Sequence, residues 1–151
     1  MTAYSATLDA TAPAEADPSN PTYVEMIETV ISSLEEEGTA MVSHTQEGYL
    51  WKFGYGSAPE VFVQLTGLTD DDTLTVWSVV GELPAGDQAA LALKLLGLNW
   101  TTTLEGRFAL LNGQVVMVTS RTLAGLNPAE VSRSITIVAT LADDADSLLR
   151  L

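Results

Sequence analysis

The sequence predicts an α+β domain in which helices pack on an antiparallel five-stranded sheet, in the order α-β-β-β-α-β-β-α. Apolar residues recur with period two between Gly48 and Gly81, which is the spacing of strands, and residues 102–111 and 114–122 are two further β-type runs. Apolar residues recur at steps of three and four over residues 24–34 and 131–149, which is the spacing of helices. Strands and helices do not alternate as they do in a doubly wound sheet, and 151 residues suit one domain.

The first part of the sequence predicts a tail and then a helix. Residues 1–20 combine Ala, Thr, Pro and acidic residues without an apolar period, so we predict a disordered acidic tail before a single domain over residues 21–151. The first helix is predicted over residues 21–37, with Asn20 as its N-cap and Gly38 as its terminator. Its apolar residues are spaced to share one face: Val24, Ile27, Val30, Ile31 and Leu34.

Aromatic side chains mark the first predicted strand, where they alternate along one face: Tyr49, Trp51, Phe53 and Tyr55. Runs over residues 61–65 and 74–80 follow turn signals and predict the rest of an antiparallel meander. A second helix is predicted over residues 87–98, where good helix formers dominate. The pair Asn112-Gly113 tolerates the positive φ of a type I′ turn, so it joins residues 102–111 and 114–122 as a hairpin.

The last element is predicted as a helix because of its cap and its length. Asn127 is suited to the N-cap, Pro128 to the first helical position and Glu130 to the first turn. One helical face then carries the apolar residues Val131, Ile135, Val138, Ala142, Ala145 and Leu149. The stretch Ser-Ile-Thr-Ile-Val within it is β-prone when taken alone, and the capping decides for the helix.

The composition excludes several classes of partner. Twenty acidic against six basic residues give a formal charge of −14, which repels nucleic acid phosphates and anionic lipid headgroups. No apolar stretch is long enough to cross a bilayer, and residues 1–20 lack the basic and apolar regions of a secretory signal, so we expect a cytoplasmic protein. The lack of cysteine excludes disulfides, thiolate metal sites and cysteine nucleophiles.

No catalytic, cofactor-binding or metal-binding residue is predicted. His44 is the one histidine, and it lies between polar neighbours in a stretch that is typical of a solvated loop. The acidic runs over residues 70–72 and 143–146 lack the spacing of a calcium loop, so we interpret them as solvated corners, with a weak, nonspecific affinity for Ca²⁺ or Mg²⁺ as the alternative. No glycine pattern of a phosphate-binding loop is present.

The second helix is the predicted interaction site. It is apolar on all sides, with Lys94 as its single charge, and a five-stranded sheet covers only one side of such a helix. We therefore predict a homodimer or partner interface at Leu91, Lys94, Leu95 and Leu98. The alternative is that the third helix or a loop covers this surface.

An apolar ligand between the sheet and the helices is a second functional hypothesis. Trp51, Phe53 and Trp77 are candidates for lining such a pocket, which would make the protein a small-molecule sensor. Aromatic residues that alternate on strands more often form a packed core, so the core interpretation is favoured.

The order of several short motifs resembles the YbjN family. The motifs are the segment Tyr49-Leu50-Trp51-Lys52-Phe53-Gly54-Tyr55-Gly56, the run over residues 61–63, the strand ending in Leu83-Pro84, the segment over residues 95–99 and the hairpin at Asn112-Gly113. This resemblance implies the fold of the small type III secretion chaperones, usually dimeric, without enzymatic activity. We therefore expect a non-enzymatic, chaperone-like or regulatory adaptor that binds protein segments of apolar or basic character.

Overall fold

The computed structural model describes residues 22–34, 41–45 and 48–149. Its elements are α1 (Tyr23–Leu34), β1 (Met41–Thr45), β2 (Gly48–Phe53), β3 (Val61–Leu65), β4 (Thr73–Glu82), α2 (Gln88–Thr101), β5 (Arg107–Leu111), β6 (Gln114–Thr122) and α3 (Pro128–Ala145), followed by a 3-10 turn (Asp146–Leu149). The predicted class and the order of the predicted elements are confirmed. The predicted tail over residues 1–20, together with Asn20 and Gly38, lies outside the described residues.

The sheet is antiparallel throughout and has one strand more than predicted. Its order is β1-β2-β3-β4-β6-β5, so β1 and β5 are its two edges. The sequence predicts a solvated loop around His44, whereas His44 lies in β1 and is paired in register with Tyr49. An edge strand has a neighbour on one side only and tolerates polar residues, and for this reason the apolar period does not reveal β1.

Two helices pack on one face of the sheet and form the core with it. Ile27 and Ile31 of α1 and Ile135 of α3 are fully buried against the sheet. Trp51 of the aromatic strand is also fully buried, and its indole nitrogen donates a hydrogen bond of 3.1 Å to the Glu28 carboxylate. The aromatic strand is therefore part of the core, because α1 covers it.

Side chains cap both of these helices. Thr22 and Glu25 form a capping box at the start of α1, since each side chain accepts a hydrogen bond from the other residue's main-chain N–H, at 3.2 Å and 3.0 Å. At α3 the predicted cap is confirmed, because the Asn127 side chain accepts a hydrogen bond of 3.0 Å from the Glu130 N–H.

The second helix ends three residues later than predicted, at Thr101 instead of Leu98. It continues past Gly97 to Thr101, and the Thr102 N–H and hydroxyl both donate to the Leu98 carbonyl. A turn closed by the hydrogen bond from the Gly106 N–H to the Thr103 carbonyl follows, so β5 begins at Arg107 and not at Thr102. Within the described residues no helix is both long and apolar enough to cross a bilayer.

Candidate protein-binding surface on the second helix

The second helix has two apolar faces that point in opposite directions. Leu91, Leu95 and Leu98 are separated by steps of four and three residues and share one face. Residues two positions apart on a helix are rotated by about 200°, so Leu93 points away from Leu91. One face of α2 therefore packs on the domain while the other meets solvent.

The residues predicted to form the interface differ in their exposure. Leu91 and Leu95 are only 6% and 7% exposed and belong to the core, and Leu98 is half-buried against it. Lys94 is exposed on the flank of the helix. The inner face of α2 packs on its own domain, although Leu91 and Leu95 each line an open depression beside the helix, and the interface predicted at Leu91, Lys94, Leu95 and Leu98 stays a prediction.

The opposite face of α2 forms an exposed apolar row, which we call the α2 stripe: Ala89, Leu93, Leu96 and Trp100. Leu93 is 71% exposed, Leu96 63% and Trp100 89%. Trp100 lies beyond the predicted end of the helix at Leu98, and without it the two faces of the predicted helix carry similar numbers of leucines. Leu104 and Leu110 continue the exposed apolar surface beyond the stripe. Among the described residues, Leu68 is the one exposed large apolar side chain that lies outside the region from α2 to β5.

A groove runs between the α2 stripe and strand β5, and we call it the β5 groove. Its volume is about 410 Å³. Its walls are almost entirely apolar and include Ala92 and Leu96 from the helix, Phe108 and Leu110 from the strand and Leu83 from the preceding loop. The groove and the stripe together present one continuous apolar surface.

Asn99 holds the edge strand beside this groove. Its side-chain oxygen accepts a hydrogen bond of 2.7 Å from the Phe108 N–H, and its amide donates one of 3.3 Å to the Phe108 carbonyl. Both main-chain groups lie at the edge of the sheet, where an incoming strand would otherwise pair with them. Asn99 therefore blocks strand addition at Phe108.

None of the four residues of the α2 stripe is charged, and Asp87 and Glu105 flank this region in the sequence. Lys94 borders a separate depression of about 410 Å³ with Leu148 and Leu149. Arg133 donates a hydrogen bond of 2.8 Å to Glu105, which lowers the pKa of the Glu105 carboxyl and raises the pKa of Arg133. The stripe itself therefore offers a partner an apolar row that contains no carboxylate.

The structure separates the aromatic residues considered for a ligand pocket. Trp51 and Phe53 face the helices and are buried, whereas Trp77 is paired in register with Phe62 on the opposite face of the sheet. These three residues do not share a pocket. The described part of the chain contains no group of three or more His, Asp or Glu side chains suited to a metal ion.

A family model matches most of the chain. It covers residues 23–150, bears the name YbjN and is described as "Putative bacterial sensory transduction regulator". The chain belongs to the YbjN family. The search of curated proteins gave no match.

Solved structures of low sequence identity share the fold of this YbjN domain. A chain of the HopA1–SchA chaperone–effector complex is 12% identical, with a TM-score of 0.58, and the match covers 83% of this chain and 93% of that chain. A chain of the ExsC–ExsE complex is 15% identical, with a TM-score of 0.58, and the match covers 83% of this chain and 91% of that chain. A chain of the heterodimeric ExoU–SpcU complex from the type III secretion system of Pseudomonas aeruginosa is 16% identical, with a TM-score of 0.54. That match covers 82% of this chain and 97% of that chain. The resemblance to the type III secretion chaperone fold is confirmed.

Proposed function

We propose that this YbjN protein is a non-enzymatic binding module of the cytoplasm that acts as a homodimer and holds segments of other proteins. The α2 stripe carries the proposal, because a helix face with Leu93, Leu96 and Trp100 more than half exposed is unusual for a monomer. The matched structures are complexes of two different proteins, by their names, and this supports protein partners for the shared fold.

The spacing of the stripe favours an antiparallel pairing of two α2 helices. From Ala89 to Trp100 the steps are four, three and four residues, so the spacing of the stripe is the same from either end of the helix. In an antiparallel two-fold pair, Leu93 meets Leu96 of the second copy, and Trp100 meets Ala89. A large side chain then lies over a small one at both ends, whereas a parallel pair would place Trp100 against Trp100.

A size exchange between these two positions tests the pairing. Trp100→Ala should weaken the dimer by about 2 kcal/mol or more, as expected for a large aromatic anchor that is buried in the pair, and Ala89→Trp should weaken it by overpacking. The double variant Ala89→Trp/Trp100→Ala should recover most of the affinity, because it restores one large and one small residue at each end. Sedimentation equilibrium measures the three dissociation constants.

Leu68→Ala provides the control, since Leu68 is also exposed but lies far from α2 in the chain, and it should leave the dimer unchanged. If the double variant were as weak as the sum of the single variants, the antiparallel pairing would be wrong.

The partner segments are expected to be apolar or basic. A chain with a charge of −14 attracts basic segments at long range, and this steering raises the association rate more than the affinity. Affinity purification from the host, followed by binding measurements with the purified partner at low and high salt, tests this. Association that does not slow with salt would contradict the steering.

A further inference from the structure

The outer face of the sheet, opposite the helices, carries an ordered row of side chains. Strand register places Lys52 beside Phe62, Phe62 beside Trp77, Trp77 beside Val118, and Val118 beside Arg107. The inner-face residues of the same strands, such as Trp51 and Val76, are buried beneath the helices. No helix among the described residues packs on this row.

A depression of about 500 Å³ lies in this face next to Trp77. Val116 and Val118 line it, and Val116 is only 3% exposed although no helix covers it. Leu111 and Gln64 lie at its sides. The volume falls within the range of small-molecule sites, and such sites are mainly apolar with a few polar groups.

The Trp77 ring is held in position before any ligand arrives. It stacks on Phe62 with a centroid distance of 5.1 Å and an interplanar angle of 11°. Phe62 covers one side of the Trp77 ring, and Val118 is its neighbour in the row on the opposite side. A wall of fixed geometry lowers the entropy that is lost when a flat ligand binds against it.

Arg107 lies next to this depression without a protein anion. Lys52, Arg121 and Arg133 each form an ion pair with a glutamate. The Arg107 side chain makes no hydrogen bond or ion pair with the described residues. Its guanidinium, at the end of the Phe62–Trp77–Val118 row, is therefore free to bind a carboxylate.

We propose that this depression binds a small aromatic monocarboxylate, whose ring lies against Trp77 and Val118 and whose carboxylate pairs with Arg107. The ring matches the apolar lining, and the single negative charge matches Arg107, the one guanidinium without an ion pair in the part of the chain that the structure describes. Repulsion by a protein of charge −14 grows with the charge of the ligand, so a monoanion is favoured over a nucleic acid strand. Ala109 and Leu110 line both this depression and the β5 groove, so the two surfaces adjoin at β5, whereas Trp77, Val118 and Arg107 lie outside the groove.

A titration of the full chain with 2-naphthoate and with the neutral 2-naphthamide tests the proposal. The indole N–H signals of Trp51, Trp77 and Trp100 are followed by NMR and assigned with Trp77→Phe and Trp100→Phe. We expect the Trp77 signal to shift in a saturable way, and the carboxylate to bind about tenfold more tightly than the amide because of its charge-assisted hydrogen bonds. Arg107→Gln should abolish that preference.

Arg133→Gln is the matched control, because it removes the same charge elsewhere and should keep the preference. Arg107 is exposed, so its variant should fold, which a thermal melt verifies. A shift of the Trp100 signal in place of the Trp77 signal would move the site to the α2 region and overturn the proposal. Lack of saturation, or a carboxylate preference that survives Arg107→Gln, would overturn it as well.

Discussion

At the scale of single residues, polar side chains hold the main chain where strands turn or end. Asp72 shows this in the turn between β3 and β4, where its carboxylate accepts hydrogen bonds from the Thr69 N–H at 2.9 Å and the Thr69 hydroxyl at 2.8 Å. The Thr66 hydroxyl donates a third at 3.1 Å. The sequence alone indicates a solvated corner for residues 70–72. Composition does not distinguish Asp72 from its neighbours, because its role depends on how the turn closes.

Asp72→Asn should lower the melting temperature at pH 7 more than Asp71→Asn, since Asp71 makes none of these hydrogen bonds. The hydrogen bonds from Thr69 hold the pKa of Asp72 below its ordinary value of 3.8. A lowered pKa in the folded state contributes stability that is present above the ordinary pKa and is lost as the pH falls through the folded-state pKa. Thermal melts at pH 7 and near pH 3 should therefore show the difference between the two variants shrinking in acid. Equal melting temperatures at pH 7 would contradict this role.

At the scale of elements, apolar periodicity, capping residues and turn residues predict a helix or strand wherever one of its faces is apolar and the other is polar. The aromatic strand, the Asn112-Gly113 hairpin and the capped α3 are present as predicted but are shorter, since β2 ends at Phe53, β5 begins at Arg107 and α3 ends at Ala145. The second helix is different, because its leucines occur on both of its faces. The apolar period therefore does not predict which face packs on the domain. Contact with β5 decides that Leu91 faces inward and Leu93 outward, and this information lies outside the helix.

Asn99 links α2 to β5, and its loss should loosen the edge of the sheet. Asn99→Ala removes two hydrogen bonds to Phe108 and should reduce the free energy of unfolding by about 1–3 kcal/mol. Thr101→Ala is the control, because Thr101 is the exposed last residue of α2 and its hydroxyl donates only a local hydrogen bond of 3.3 Å to the Gly97 carbonyl, so the change should have little effect. Urea unfolding measures both. A stability of Asn99→Ala equal to that of the control would show that Asn99 does not hold the strand.

At the scale of the whole molecule, charge and apolar surface are separated. The chain carries a charge of −14, yet the segment over residues 88–104 contains one charged residue, Lys94. Two copies repel each other at long range, and this repulsion is screened over about 8 Å at physiological salt. The dimer is therefore expected to become tighter as salt rises, because the α2 stripe offers no ion pair to be weakened.

The molar mass of the full chain in solution at micromolar concentration is the most direct test of the central claim that the α2 stripe joins two copies. Light scattering coupled to size exclusion should give twice the chain mass of 16.0 kDa. The variant Leu93→Glu should give the mass of a single chain, and Leu68→Glu should remain a dimer. A native chain that elutes with the mass of one copy at both low and high salt would contradict the account.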